Sequence, residues 1–259
     1  MRLNPVKQKV QQGNTSIGTF MFEFNTTGVS RIAAGAGAEF AIFDMEHTGW
    51  SIESIRMLIA TTGSTEMIPY VRVPATEYHF IARALDIGAM GLMVPMVESA
   101  EQAKKIVVSA KYPPVGRRGA GFGLAHDDYS GGDIIEKITT ANSQTHLIAQ
   151  IETTAGVNRA NEIAAVEGID VLWVGHFDLT NSLGIPGQFD HPLFKEALTT
   201  VLTACQQHHK VAGFMPGDVA QGKSILDLGF RMIAYGGDLW LYQNALREGV
   251  NTLNQHVTK

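Results

Sequence analysis

Short apolar runs alternate with helix-like stretches along most of the chain. Runs in which nearly every residue is apolar are typical of parallel strands that are covered on both faces. Turn-type or polar residues follow each run, which marks the end of a strand. The predicted strands are 17–23, 40–44, 67–71, 91–95, 147–152, 171–175, 211–215 and 231–235.

Segments with apolar residues three and four positions apart predict helices between these strands. In the clearest one, Ser51 caps a helix whose apolar face includes Ile55, Leu58 and Ile59. Other helices are predicted at 29–37, 76–87, 100–110, 133–141, directly after residue 153, and at 179–183, 192–208, 219–228 and 239–253. Eight strand–helix units in 259 residues favour one domain, 1–259, folded as a (β/α)8 or TIM barrel.

Two segments lie outside this alternation. Residues 1–16 form a polar lead-in for which no element is predicted. Residues 112–132 are rich in glycine and proline and too long for an ordinary connection between a helix and a strand. We therefore expect them to form a functional loop.

Charge and composition exclude several classes of protein. The formal net charge of −5 provides no basic surface for nucleic acid. Cys205 is the only cysteine, so neither disulfides nor a cysteine metal site is predicted. No apolar run approaches the ~20 residues of a membrane span, and the start lacks a signal-peptide core. We expect a cytoplasmic protein that binds neither nucleic acid nor membrane.

Polar side chains follow several predicted strands at their carboxyl ends, which is the active face of a TIM barrel. Gln150 and Glu152 share one face of their strand because side chains alternate along a strand. The set consists of Asp44, Glu46 and His47 after the second strand, Arg72 after the third, Gln150 and Glu152 on the fifth, and Asp178 after the sixth.

Two acids from separate strand ends, Glu152 and Asp178, suit Mg²⁺ or Mn²⁺, which prefer oxygen ligands and retain waters. Each residue also has a structural alternative. Asp178 can cap the helix at 179–183, Arg72 can form an ion pair at the barrel rim, and His47 can be a satisfied core histidine. Their convergence on one face favours a site.

This set of residues suits one kind of chemistry. A metal can bind the carboxylate and keto oxygens of a 2-oxo acid and stabilise the enolate that forms when a carbon–carbon bond breaks. Arg72 would add positive charge, and His47 is suited to move the proton. No lysine ends a predicted strand on this face, which disfavours an imine mechanism.

Over residues 15–255 the chain resembles the metal-dependent (class II) pyruvate aldolases, the family of 4-hydroxy-2-oxoheptanedioate and 2-dehydro-3-deoxyglucarate aldolases. The family is distantly related to citrate lyase β subunits. The shared motifs are Asp-Met-Glu-His at 44–47, Arg72, Leu-Asp-Ile-Gly-Ala at 85–89, Val-Pro-Met-Val at 94–97, Tyr-Pro-Pro-Val-Gly-Arg-Arg-Gly at 112–119, Gln-Ile-Glu at 150–152, and Gly-x-x-Asp-Leu at 175–179.

The resemblance implies specific roles. It assigns Glu152 and Asp178 as ligands of Mg²⁺, Mn²⁺ or Co²⁺, His47 as catalytic acid/base, Asp86 as the residue that raises its basicity, Arg72 as transition-state stabiliser in contact with substrate, Gln150 with the backbone at Phe177 and Asp178 as pyruvate-binding groups, and Asp44 near the aldehyde. It also implies a homo-oligomer, a trimer or hexamer, in which the closing helix packs on a neighbouring subunit.

Two departures affect the expected substrate. The family commonly has Gly-Pro-Ala-Asp where this chain has Gly175-His176-Phe177-Asp178, and we expect the larger side chains to reshape the pocket. Phe122 stands where the family often has a serine, so a hydroxyl contact is missing.

The leading hypothesis is a lyase that cleaves or forms a 4-hydroxy-2-oxo acid, with pyruvate or hydroxypyruvate and an aldehyde as the other partners. Two alternatives stay open. One is an acyl-CoA lyase of the malyl- or citramalyl-CoA type; the other is a non-catalytic barrel that binds a 2-oxo acid.

Overall fold

The computed structural model describes residues 2–257. Its eight strands pair in parallel in chain order, and the last pairs with the first to close the barrel. The predicted (β/α)8 fold is confirmed. The strands are β1 Ser16–Met21, β2 Phe40–Asp44, β3 Ile68–Arg72, β4 Gly91–Val94, β5 His146–Ile151, β6 Val171–Val174, β7 Val211–Phe214 and β8 Met232–Gly237.

One helix precedes the first strand, and at least one helix follows each strand and covers the outside of the barrel. The helices are α1 Pro5–Gln11, α2 Val29–Gly35, α3 Ile52–Thr62, α4 Tyr78–Asp86, α5 Ala100–Ala110, α6 Ile134–Gln144, α7 Thr154–Asn158, α8 Ala160–Ala164, α9 His176–Ser182, α10 Pro192–Gln207, α11 Val219–Leu228 and α12 Asp238–Val257. Within residues 2–257, no helix has the length and apolar character needed to cross a membrane.

Helix α1 corrects the expectation that the lead-in has no regular structure. Its start is capped by Asn4, whose side-chain oxygen accepts the N–H of Lys7 at 3.0 Å. Val6 and Val10 are buried and pack against the residues inside the barrel. The helix therefore closes the amino-terminal end of the barrel, a role that its two isolated valines did not reveal.

The strands separate two apolar layers because successive side chains point to opposite faces. The inner layer fills the barrel with residues such as Ile42, Tyr70 and Trp173. The outer layer, which includes Phe43, Val71 and Val174, packs against the helices. This packing fills the barrel below its carboxyl-terminal mouth.

The expected functional loop, 112–132, begins at the opposite end from the mouth. The Lys111 ammonium group donates to the carbonyl of Thr145, directly before β5, at 3.0 Å. The N–H of Tyr112 donates to the Asn142 side chain at 2.8 Å. Within one chain, this loop therefore starts beside the amino-terminal ends of the strands.

Candidate active site

The inward-facing positions change from apolar to polar at the carboxyl-terminal end of the barrel. Asp44 follows Ile42 on the inner face of β2, and Arg72 follows Tyr70 on β3. Asp44 and Arg72 are opposite each other in the strand register. Strand alternation thus forms a polar upper layer on an apolar barrel interior.

Arg72 is held by two carboxylates and two aromatic rings. Its Nε donates to Asp44 Oδ1 at 2.6 Å, and its Nη1 lies 3.1 Å from Glu46 Oε2. The guanidinium carbon lies 5.2 Å and 5.8 Å from the ring centres of Phe20 and Phe22. Arg72 therefore takes part in an ion pair, as the structural alternative held, but inside the mouth and as one member of a charged group.

Asp44 organises the loop after β2 and does not open toward the mouth. Its carboxylate is fully buried and accepts the backbone N–H groups of Glu46 at 3.1 Å and His47 at 2.9 Å. Together with Arg72, these donors occupy both carboxylate oxygens. The structure places Asp44 as a positioning residue beneath the loop, and the aldehyde contact that the resemblance implied stays an untested prediction.

Glu152 is almost completely buried at the end of β5. Its Oε1 accepts the N–H of Met96 at 2.7 Å, and its Oε2 accepts a hydrogen bond from the Gln150 side-chain amide. Burial, the largest cause, together with the charges of Glu46 and Asp178, raises the pKa of Glu152 to about 7, although the hydrogen bonds from Met96 and Gln150 act in the opposite direction. The folded chain therefore brings several carboxyl groups together, and Glu152 binds a proton more readily than a free carboxyl group does.

Glu46 is a member of this acidic group to which sequence reasoning assigned no role. Burial, the largest cause, together with the charges of Asp44 and Asp178, raises its pKa to about 7, although the charge of Arg72 acts in the opposite direction. The sequence signal that could have identified Glu46 is its position two residues after Asp44, inside the Asp-Met-Glu-His motif. The charge of Glu46 acts on Glu152 because β2 and β5, which are far apart in sequence, end at the same mouth.

The arrangement fits a divalent cation. The charge of Asp178 raises the pKa of both Glu46 and Glu152, the charge of Glu46 also raises that of Glu152, and Gln150 Oε1 is buried without a hydrogen-bond partner among residues 2–257. The described residues contain no group of three or more acidic, histidine or cysteine side chains in a metal-ligand arrangement. Two carboxylates with water or substrate oxygens match the way in which Mg²⁺ binds.

Gly175 leaves room for this group. A Cβ atom at this position would lie 2.3 Å from Glu152 Oε2 and 2.8 Å from the Gln150 side-chain nitrogen.

We expect Gly175→Ala to displace Glu152 and to weaken Mg²⁺ binding by about 10–100-fold, the range seen when the supports of metal ligands are altered. Titration with Mg²⁺ and thermal denaturation will separate this effect from unfolding; Gly63→Ala, where a Cβ has room, is the control.

His47 is not a core histidine. More than half of its side chain is exposed, and its Nε2 lies 3.7 Å from Glu46 Oε2. The hydrogen bond from its backbone to Asp44 fixes the main chain and leaves the imidazole free to move a proton at the mouth. Within this chain, the carboxylate beside His47 is therefore Glu46.

Asp86 lies away from the mouth of its own barrel. It ends α4, which runs from the mouth toward the amino-terminal end of the barrel, and its carboxylate binds Arg118 Nη2 at 2.6 Å. Within one chain the partner of Asp86 is therefore Arg118, and the support of His47 by Asp86, which the resemblance implied, stays a prediction. The sequence motif around Asp86 could not reveal this, because His47 directly follows β2 at the mouth, whereas α4 carries Asp86 to the other end of the barrel.

The sequence profile of the HpcH/HpaI aldolase/citrate lyase family matches residues 17–245. The chain belongs to this family. It is 34% identical to the hydroxypyruvate/pyruvate aldolase of Roseobacter denitrificans over 243 residues, 93% of this chain and 94% of that protein. It is 32% identical to a 2-keto-3-deoxy-L-rhamnonate aldolase of Salmonella gallinarum, covering 94% and 90% of the two chains.

A solved structure agrees with this assignment. The crystal structure of an HpcH/HpaI aldolase from Desulfitobacterium hafniense superposes with a TM-score of 0.93 at 32% identity, covering 97% of each chain. The expected family and the expected enzyme class, an aldolase, are confirmed.

This HpcH/HpaI family member has larger side chains at 176–177, which we expected to reshape the pocket. His176 does not do so. The buried imidazole stacks on Phe214 at 5.1 Å and meets the edge of Phe189 at 5.2 Å, on the helix side of the sheet. Burial lowers the pKa of His176 to about 4, so the ring is neutral near pH 7. His176 is an aromatic packing residue and does not line the mouth.

Phe177 and Asp178 lie in the first turn of α9, and both side chains are exposed. The helix begins at His176, so the alternative in which Asp178 caps a helix at 179–183 is wrong. The first N–H groups of a helix have no partner within it, so the backbone at 177 and 178 is free to bind an anion. Phe122 packs 5.5 Å from Tyr112 in the loop at 112–132, away from this mouth.

Proposed function

We propose that the chain is a divalent-metal-dependent aldolase that cleaves a 4-hydroxy-2-oxo acid into pyruvate or hydroxypyruvate and an aldehyde. The observation that supports this most strongly is the group of Glu46, Glu152 and Asp178 beside Arg72 and His47 at one barrel mouth. The names of the two relatives, a hydroxypyruvate/pyruvate aldolase and a 2-keto-3-deoxy-L-rhamnonate aldolase, agree with this substrate class.

A bound Mg²⁺ or Mn²⁺, with Co²⁺ as a third option, would supply positive charge beside the 2-oxo group. Glu152 and Asp178 would hold it. Gln150 and the backbone N–H groups of Phe177 and Asp178 would orient the pyruvate portion of the substrate. These donors would place the 2-oxo group beside the buried carboxylates and the guanidinium group.

His47 and Arg72 would carry the chemical step. Nε2 of His47 would accept the proton of the 4-hydroxyl group as the C3–C4 bond breaks. The electron pair of that bond would remain with C3 of the pyruvate portion, and C4 with its oxygen would leave as the aldehyde. Arg72, held between two aromatic rings and Asp44, keeps its positive charge in place and would stabilise the enolate that remains. Because Glu46 contacts both residues, it would set the orientation of His47.

Metal removal tests this proposal. After chelation and dialysis, release of pyruvate from 4-hydroxy-2-oxo acids is expected to fall to background, and addition of Mg²⁺ or Mn²⁺ should restore it. The screen should include straight-chain, dicarboxylic and sugar-acid substrates. Full activity in excess chelator would contradict the metal-dependent mechanism, and inhibition by free coenzyme A would favour the acyl-CoA lyase.

Helix α12 supports a homo-oligomer. It carries exposed apolar side chains along one face, at Tyr242, Leu246, Val250 and Leu253. Exposed apolar residues also occur on α2 and α11, the two helices that flank the position of a closing helix in this fold: Ile32 and Leu228. We infer that α12 packs on a second copy, in a trimer or hexamer, and that only such an assembly can bring Asp86 to the His47 of a neighbour.

A charge placed on this face tests the assembly. Leu246→Glu is expected to lower the oligomer's mass in analytical ultracentrifugation, because a charged side chain is costly to bury in an apolar interface. Glu248→Gln, on another part of the helix, is the matched control. An unchanged mass for Leu246→Glu would refute the packing of α12.

A further inference from the structure

A second cavity lies on the amino-terminal side of the barrel, away from the mouth. Its volume is about 570 Å³, and it is bounded by the ends of α3, α4 and α6 and by loop residues 125–130. Pro69 and Met90, beside the starts of β3 and β4, also line it. None of the described residues that line it belongs to the acidic group at the mouth.

The floor of the cavity is apolar. Ile59 on α3 and Leu85 on α4 contribute buried side chains, and Ala141 on α6 completes the floor. Pockets of this size with apolar walls and a few polar groups are typical small-molecule sites. The floor therefore suits an organic body and not an isolated inorganic ion.

Arginine side chains from three separate segments surround this floor: Arg2, Arg56 and Arg118. Arg118 is neutralised by Asp86, and its guanidinium lies 4.6 Å from the ring centre of Tyr112. Arg2 donates to the carbonyl of Thr65 at 2.8 Å. Among residues 2–257, neither Arg2 nor Arg56 has an ion-pair partner within 4.0 Å. The charge of Glu66 acts on Arg2 from a greater distance, so Arg56 is the cation with the least compensation.

A histidine adds a second type of donor or acceptor. His126 lines the cavity, and its Nδ1 is buried without a hydrogen-bond partner in the described part of the chain. Burial lowers the pKa of His126, so the imidazole is neutral near pH 7 and can either donate or accept. Asp128 is the carboxylate residue that lines the cavity, and its charge does not balance those of Arg2 and Arg56.

We propose that this cavity binds a small organic anion, a phosphate or carboxylate group carried on an apolar body. The planar guanidinium groups of Arg2 and Arg56 match the oxygens of either anion, and the floor accepts the apolar part. The loop at 112–132 thereby acquires a function, since its residues 125–130 form one wall. The site lies outside the acidic group at the mouth of the same chain.

Calorimetric titration of the full-length protein with phenyl phosphate, benzoate and inorganic phosphate tests this site. We expect saturable binding of phenyl phosphate or benzoate, tighter than that of inorganic phosphate because the apolar body is buried. The tighter of the two organic probes identifies the preferred anion. Absence of saturable binding by both, in the protein as it assembles in solution, would overturn the proposal.

Variants locate the binding. Arg56→Ala is expected to weaken binding by about tenfold or more, the usual cost of one charge-assisted hydrogen bond. Arg83→Ala removes an exposed arginine of α4 that does not line the cavity and should leave affinity unchanged. Equal affinities for the two variants, or loss of binding in Glu152→Gln at the mouth, would show that the anion binds elsewhere.

Discussion

Glu152→Gln is expected to lower kcat/KM for pyruvate release by about 10³-fold or more, without lowering thermal stability. In the proposed mechanism the negative charge of Glu152 holds the metal, and loss of charge stabilisation of this kind costs about 10²–10³-fold even for a single uncharged donor. Stability is expected to hold because burial disfavours the ionised form in the folded chain, as the raised pKa of about 7 indicates. The glutamine side chain removes that cost.

Glu98→Gln is the matched control. Glu98 accepts a hydrogen bond from Thr153 Oγ1 at 2.7 Å beside the same strand end, but it lies outside the acidic group. Glutamine retains an oxygen for that bond, so near wild-type activity is expected. Mg²⁺ titration and denaturation of both variants, with kinetics, complete the comparison. Unimpaired metal binding by Glu152→Gln would remove Glu152 from the ligand set.

Arg72→Met is expected to reduce both activity and stability. Loss of its charge should lower kcat/KM by about 10²–10³-fold. The free energy of unfolding should fall by about 3–5 kcal/mol, because Asp44 would remain as a buried charge without its partner. Steady-state kinetics and urea denaturation measure the two losses separately.

Two further variants distinguish these losses. Arg72→Lys keeps the charge but not the planar donor that binds Asp44, so it should recover more activity than Arg72→Met. Arg72→Met combined with Asp44→Asn should regain part of the stability and none of the activity. Recovery of activity in that double variant would show that Arg72 acts only by neutralising Asp44.

Much of the mouth could be predicted because it depends on strand alternation. Gln150 and Glu152 share a face whatever the rest of the chain does, and Arg72 follows a run that reads as a strand. Asp44 was also found by its place at a strand end. The role of Asp44 in holding the loop could not be predicted, because the backbone N–H groups that donate to both of its oxygens reach it only when the loop has folded.

The surroundings of two other residues could not be predicted, for a different reason. His176 directly precedes Phe177, yet a helix starts at His176 and turns its ring into the outer aromatic layer. Asp86 belongs to a motif of the family, yet its helix carries it to the far end of the barrel. In both cases the direction of a helix, and not proximity along the chain, decides which groups meet.

The amino-acid sequence by itself determined the closed (β/α)8 architecture, the family, and the polar strand ends that meet at the mouth, since periodicity and local motifs specify these features. The tertiary structure alone decided that Glu46 joins Glu152 and Asp178, that α1 closes the barrel, and that the loop at 112–132 lines a cationic cavity. These features depend on contacts between residues far apart in the chain, where burial and charge act through space and leave no periodic signal.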